Sequence, residues 1–420
     1  MMNAPGVTIE EVGLTAASVR SSATVPVFIG YFYNKKTGNV LPISTGCIRF
    51  NNALELRQYF ANTVPAPVKI SGADVSLSGS SIQPGAIAIN HYFENGGGPC
   101  YILPYSANVT GMADYIREHE DITLITTTFA NDNIGLPALM TELKPLLEDG
   151  KGRFFVATAS ARGFSPFIPD GPVQDIGSYH PYLTLTSRLW RDDAETTVSG
   201  YSDSSIDTLA KLKTASPALY AKADALIKER LAALKTIAVS PGPAVAAAYC
   251  RTDRERGVWK APANIVINDA EPYSIIPEKD HGKWNEKGVN IIRKMNGKTV
   301  IFGARTLAVD SEQWRYVSVR RLFNKIQRDI GELMRHFADA PNTQDTWTRA
   351  KSIVDAYLHD IWSQGGLKGS RPEQGYQVAL GKDETMDDDD IAAGRMIAQI
   401  KLAASRPAEF IILRFSQELL

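Results

Sequence analysis

ITLITTTF, residues 122–129, is followed at residues 137–148 by PALMTELKPLLE and at residues 153–158 by RFFVAT. The outer two segments are β-branched or aromatic runs of the length that a buried strand needs. The segment between them carries a helical pattern of apolar positions. Strand, helix, strand in that order predicts an α/β layer. Upstream, Thr24 to Phe32 (TVPVFIGYF) reads as a further strand, and turn signals follow at Thr37-Gly38-Asn39 and Ser71-Gly72. Ser71 to Gln83 reads as a Ser/Gly-rich loop, and Ala86 to Phe93 as a short helix ending in the turn Asn95-Gly96-Gly97-Gly98-Pro99.

Downstream, a helix is expected from about Pro217 to Ile237. Pro217 suits its first turn, and Leu219, Tyr220, Ala223, Leu226, Ile227, Leu231 and Leu234 form one apolar stripe. Pro241-Gly242-Pro243 stops it. The last 145 or so residues read as an α+β domain. Thr299 to Phe302 and Trp314 to Val319 are expected strands. Leu322 to Phe337 and Thr346 to Trp362 are expected helices, and a helical stretch from Ile391 to Ala404 follows the acidic run Asp387 to Asp390. The chain closes on a strand-like EFIILRF, residues 409–415. At the other end Val7, Ile9 and Glu11 alternate with Thr8, Glu10 and Val12. That pattern suits a strand too short to bury itself, which needs another sheet for its amides.

A chain of 420 residues suggests two or three domains, and 44% hydrophobic with 22% charged residues excludes a disordered or collagen-like chain. With 45 basic and 46 acidic residues there is no global charge to favour nucleic acid or an anionic membrane. Cys47, Cys100 and Cys250 are far apart, which argues against a disulfide framework or a thiolate zinc site. The N-terminus lacks the basic and apolar regions of a signal peptide, so synthesis as a soluble cytosolic protein is expected.

Catalytic motifs fail one by one. Asn296-Gly297-Lys298-Thr299 would need a glycine at 292 to wrap phosphates; that residue is Ile, and a tight turn is the better reading. Gly96 to Gly98 runs into Pro99, which has no amide to donate. The six histidines never fall at the spacing of a helical metal site. Glu278, Asp280 and His281 read as a solvated cluster. Asp387 to Asp390 lacks the spaced ligands and glycine of a calcium loop. No catalytic, cofactor or metal residue is assigned. What remains is two stretches dense in charge and aromatics, YCRTDRERGVWKAPAN at 249–264 and WRYVSVRRLF at 314–323. They fit either packing within a domain or contacts between subunits.

These stretches belong to an ordered set that resembles the contractile tail sheath proteins of phages and phage-like injection particles. The set comprises PGVTIEE at 5–11, FIG at 28–30, YFENGGGPCY at 92–101, DRERGVWKAPAN at 253–264, and GVN with Ile292-Arg293 at 288–293. It continues with GARTL at 303–307, WRYVSVRRL at 314–322 and RFSQ at 414–417. Within it Arg256, Trp259, Lys260, Arg305, Trp314, Arg320 and Arg321 stand out. Residues 159–240 match no part of the pattern.

The resemblance implies a structural subunit and no enzyme. Such subunits polymerise as stacked hexameric rings around an inner tube, starting on a baseplate, and contract to drive the tube through a target envelope. Implied partners are copies of the chain, the tube protein, baseplate and terminator or cap proteins, and sheath paralogues; nucleic acid and membrane insertion are not implied. The particle would be a virion tail or an extracellular injection device. The implied fold is mixed α+β and α/β, with a sheath core built from both chain ends and a subtilisin-like α/β domain inserted. Expected parts are an arm at 1–23, sheath core at 24–105, inserted domain at 106–272, C-terminal sheath domain at 273–405 and an arm at 406–420. The arms, through Val7, Ile9, Glu11, Phe410, Ile412 and Arg414, would join neighbouring subunits' sheets. Arg349, Lys351 and Lys368 are the expected tube-facing cations. The competing readings are an α/β hydrolase or nucleotide-using enzyme, which would need one convergent site, and a tube or baseplate component.

Overall fold

The computed structural model describes residues 24–33, 40–60, 67–77, 84–105, 110–129, 136–159, 172–186, 192–337 and 340–406. The six arm residues named above lie outside that set. The described chain starts with β1 (Val25–Gly30), β2 (Ile48–Phe50), α1 (Ala53–Tyr59), β3 (Val68–Ser71), β4 (Asp74–Leu77) and α2 (Pro84–Glu94). Next come β5 (Cys100–Pro104), α3 (Met112–Arg117), β6 (Ile122–Thr127), α4 (Leu136–Glu148), β7 (Phe154–Thr158), β8 (Ile176–His180), β9 (Leu183–Thr186) and β10 (Val198–Ser199). Then follow α5 (Leu209–Ala215), α6 (Pro217–Ala233), β11 (Thr236–Val239), α7 (Gly242–Arg256), β12 (Ile265–Ile267), β13 (Ala270–Pro272), α8 (Glu278–Glu286), β14 (Val289–Met295) and β15 (Lys298–Phe302). The rest is α9 (Val317–Arg335), α10 (Gln344–Ser363), α11 (Pro372–Gly375), β16 (Tyr376–Ala379), α12 (Asp388–Ala392) and β17 (Gln399–Leu402).

Nine strands form one sheet in the order β12-β15-β14-β8-β7-β6-β1-β5-β2. The run from β14 to β5 is parallel throughout, and antiparallel strands close both ends. A parallel sheet is covered on both faces, so its strands read as continuous apolar runs. Alternate residues here serve opposite cores. Phe28, Ile102, Leu124, Phe154 and Val156 pack with α2 and α7. Val27, Ile29, Leu103, Ile125 and Phe155 pack with α3 and α4. Each such side chain contributes about 1.5–3 kcal/mol of burial. Helix α7 opens with GPAVAAAYC, buried along its whole length. Its small residues let the backbone lie against the sheet: a Cβ on Gly242 would meet Thr126 Oγ1 at 2.1 Å.

Two smaller layers flank this sheet. β10-β3-β4 packs on α5 and α6 through Val68, Ile70, Leu209, Leu212, Ala223 and Ile227. β11-β9-β13 forms a second three-stranded sheet. The chain divides inside α9 into the compact units Ala23–Gln327 and Arg328–Ala404. In the smaller unit Trp347, Ala350, Leu380 and Met386 form a core with Met334 and Phe337. There Tyr357 donates to Asp329 at 2.7 Å, tying α10 to the end of α9, while β16 and β17 make a two-stranded antiparallel sheet. The expected boundaries at 105/106 and 272/273 both fall between strands of the nine-stranded sheet.

Four local expectations are corrected. Val317 to Val319 form the first turn of α9 rather than a strand, because Val319, Leu322 and Ile326 are buried at helical spacing. The helix expected over 391–404 is only α12; Gly394 at φ 70° ends it, and Gln399–Leu402 pairs with β16. The helix from Pro217 stops at Ala233, and the β-branched Thr236, Ile237 and Val239 pair with β9. The loop expected from Ser71 to Gln83 contains β4, which turns back on β3 across Gly72.

Candidate functional site

Several described pieces of the motif set meet where α9 begins. Arg320 and Arg321 are consecutive, so their side chains leave the helix about 100° apart and reach different partners. Arg321 grips Asp253 at the end of α7 with two bonds, Nη2 to Oδ2 at 2.5 Å and Nη1 to Oδ1 at 3.0 Å. Thr24 Oγ1 accepts from Arg321 Nη2 at 3.1 Å and donates to Asp253. The guanidinium lies 4.6 Å from the ring centre of Tyr249, whose hydroxyl meets that of Tyr179 at 2.6 Å. Burial, with Tyr179 adding to it, pushes the Tyr249 hydroxyl well above its ordinary range. Burial also works against the charge on Arg321, but Asp253 more than offsets it and the net direction is up. Cys250, whose thiol donates to the Thr24 carbonyl at 3.3 Å, is raised by burial to about 11.

Arg320 makes a matching fork to Asp175, at 2.6 and 2.7 Å, and lies 4.8 Å from the centre of the Trp314 ring. Asn324 donates to the same carboxylate at 2.7 Å. The segment before α9 is fastened as well. Thr306 N donates to Arg315 O at 2.9 Å, and Val317 N to Ala304 O at 3.0 Å. Arg305 N donates to Asn290 Oδ1 at 2.7 Å, and its Nη1 to Asn285 O at 3.0 Å. Asn290 returns bonds to Arg305 O and Ser178 O. Bidentate charged pairs of this kind fix register more than they add stability.

So Arg305, Trp314, Arg320 and Arg321 are brought together as packing within one unit. Trp259 is half-buried beneath Gly257, while Arg256 and Lys260 are exposed. Of the expected tube-facing cations, Arg349 is exposed with Asp345 4.0 Å away, and Lys351 holds Glu384 at 3.1 Å. Lys368 lies past the end of α10, about 18 Å of helix beyond Lys351. The exposed face of α10 also carries Asp355 and Asp360, so it is not a basic face.

The failed motifs have structural roles. Asn296 and Gly297, at φ 49° and 76°, make the tight turn of the β14–β15 hairpin. Asp387 and Asp390 form a capping box on α12. His281 is held by Ile276 O and Arg293. Among the described residues no group of three His, Cys, Asp or Glu could hold a metal, and no helix is long and apolar enough to cross a membrane. Thr24, Asp175, Asn290 and Asn324 were not singled out from the sequence. Asp175 sits in the stretch that matches no family piece, and nothing local marks it.

Residues 309–418 match the phage tail sheath C-terminal domain. The solved helical sheath of the anti-feeding prophage, in its contracted state, is 31% identical over 100% of both chains, with a TM-score of 0.73. The chain belongs to the contractile sheath protein family. A second solved sheath, the contracted PVC complex of an extracellular contractile injection system, is 29% identical over 100% of this chain and 98% of that one, with a TM-score of 0.71. The tail sheath protein of Vibrio phage KVP40 is 24% identical over 170 residues, 39% of this chain, and the chain spans only 24% of that curated relative's length. The protein is thus a structural subunit of a contractile sheath.

Proposed function

We propose that the protomer polymerises with copies of itself as stacked hexameric rings around an inner tube, between a baseplate and a terminator or cap protein. Contraction of the rings drives the tube through a target envelope, without catalysis by the sheath. The observation that carries this is the 31% identity across the full length of a helical sheath chain. The particle is a virion tail or an extracellular injection device, built from subunits made in the bacterial cytoplasm.

The arms at 1–23 and 406–420 supply the links, through Val7, Ile9 and Glu11 and through Phe410, Ile412 and Arg414. The favoured receiver is β16–β17. Two-stranded sheets are marginal alone, and no third strand pairs with this one among the described residues. Each added backbone hydrogen bond contributes about 0.5–1.5 kcal/mol, so an added strand gives a tether of several kcal/mol. Such tethers persist while the bodies slide, and the remaining parts of the five-part division move as the bodies. Arg349, Lys351 and Lys368 are proposed tube contacts. Reversing two of these charges weakens docking in a salt-dependent way; docking indifferent to both salt and mutation removes that assignment.

Deleting residues 1–19 tests the linkage. The expected product is a soluble protomer with a near-unchanged melting temperature that builds no tubes. Tubes from the truncated chain would refute the tethers, and failure to fold would show that the segment completes its own subunit.

A further inference from the structure

Of the large apolar side chains left exposed among the described residues, Leu54 and Tyr59 lie beside one end of the nine-stranded sheet and Tyr273, Ile275 and Phe302 toward the other, while Tyr31, Val40 and Ile397 lie elsewhere. Toward the β15 side, Ile275 is 91% exposed and Tyr273 is 62% exposed just after β13, and Phe302 is exposed at the end of β15; His281, held by the carbonyl of Ile276 at 3.1 Å, has its ring 6.4 Å from that of Phe302 and joins the two. At the β2 end, α1 presents Leu54, 64% exposed, and Tyr59, whose ring lies 5.7 Å from Phe50. Seven strand spacings separate β15 from β2, which puts the two patches roughly 34 Å apart along the sheet. Clustered exposed apolar side chains rimmed by charge mark protein contacts rather than solvent-facing surface.

The rims differ in charge. Beside β2 and α1, Arg49 is paired with Asp121 and Arg57 with Glu94, which among the described residues leaves Glu55 and Glu118 without a cation. Beside β12 and β15, Lys294 holds Glu271, Lys283 holds Asp280 and Arg293 lies near Glu278. Among the described residues, Lys279, Lys287 and Lys298 are exposed there with no ion pair, against Glu286 among the acids, with Asp269 also exposed in the β12–β13 turn. The β12 edge is blunted for strand addition, because Arg251 Nη2 caps the carbonyl of Val266 at 3.1 Å. Contact at this end is therefore made by side chains, unlike the backbone tethers proposed for the arms.

We infer that these two ends bind each other between copies of the chain: the Tyr273–Ile275–Phe302 patch of one protomer seats on the Leu54–Tyr59 patch of the next. Two unlike patches at opposite ends of one body give a head-to-tail contact, which propagates into a ring or a helix rather than closing as a two-fold dimer. The lysine-rich rim then faces the acidic one and sets registry. This rests on the sheath reading and adds a body-to-body surface to it.

The test uses the full chain, assembled under conditions where the wild type forms tubes. Copies carrying Leu54→Cys are mixed with copies carrying Ile275→Cys and treated with a short bismaleimide at neutral pH. Cys100 and Cys250 are buried, and burial, with Glu118 nearby, pushes the Cys47 thiol up to about 12, so the wild type gives the blank. The expected result is a cross-linked dimer in the mixture and none in either variant alone. Ile275→Lys and Leu54→Lys, both at exposed positions and checked for native folding by circular dichroism, are each expected to raise the concentration for half assembly by roughly tenfold or more. Cross-links within a single variant, no cross-link in the mixture, or unchanged assembly of both lysine variants overturns this inference alone. A wild type that forms no tubes beside its tube protein and baseplate refutes the sheath reading beneath it.

Discussion

Replacing Arg321 with Ala leaves the Asp253 carboxylate, 12% exposed at its side chain, facing Tyr249 and the Thr24 hydroxyl with no cation. Both partners are well under a third exposed, so solvent screening takes little from the pair. Breaking one side of a buried pair costs about 3–5 kcal/mol, because the surviving charge stays desolvated. For a body of this size that is a fall in melting temperature of roughly 5–15 °C. The same rule predicts that Arg321→Met with Asp253→Leu recovers most of the loss, since the desolvated charge goes with the pair. Scanning calorimetry of unassembled protomer, wild type against single and double variants, reads both numbers. A shift below about 2 °C for Arg321→Ala, or a double variant no better than the single, would refute the view that this fork is a buried keystone.

Asp175→Ala strands Arg320 and removes the acceptor of Asn324, so it is expected to cost about 3 kcal/mol or more, read by urea unfolding of the protomer. Gly242→Val forces α7 off the sheet where a Cβ already meets Thr126 Oγ1 at 2.1 Å; the expected loss is about 1–3 kcal/mol in the same assay. The thiols predict a pH dependence. Burial raises Cys250 from an ordinary value near 9 to about 11, and raises Cys47 to about 12. The folded state therefore holds these protons more tightly than the unfolded one. Their contribution to stability is complete below pH 9 and declines as pH climbs through 11 to 12, which a melting series from pH 8 to 12 compared with Cys250→Ala and Cys47→Ala checks.

The sheet's centre was legible because parallel strands covered on both faces need apolar residues at every position. Hence ITLITTTF and RFFVAT stand out as runs, and the amphipathic α4 between them follows its own period. Helices α9 and α10 were legible for the same reason, each burying one stripe against a core. The ends of elements were not. Val317 to Val319 have the composition of a strand, and only the burial of Val319, Leu322 and Ile326 on one stripe puts them in a helix. The stretch 391–404 carries good helix formers, yet Gly394 breaks it and β16 captures the residues beyond. The motif set marked where the site would be, but not what its residues do. Arg320 meets Asp175 across 145 positions and Arg321 meets Thr24 across 297, pairings that no local pattern encodes. Of the two readings of these arginines, subunit contacts or internal packing, the bonds seen for 320 and 321 are internal, to Asp175 and Asp253 of the same chain.

Electron microscopy of the purified protein, co-expressed with its tube protein and baseplate, tests the central claim most directly. The account predicts hollow tubes of stacked six-membered layers that shorten and widen on triggering, with density for strands added to the β16–β17 sheet. A protein that stays monomeric beside both partners, or that instead turns over nucleotide or peptide substrates, would contradict it.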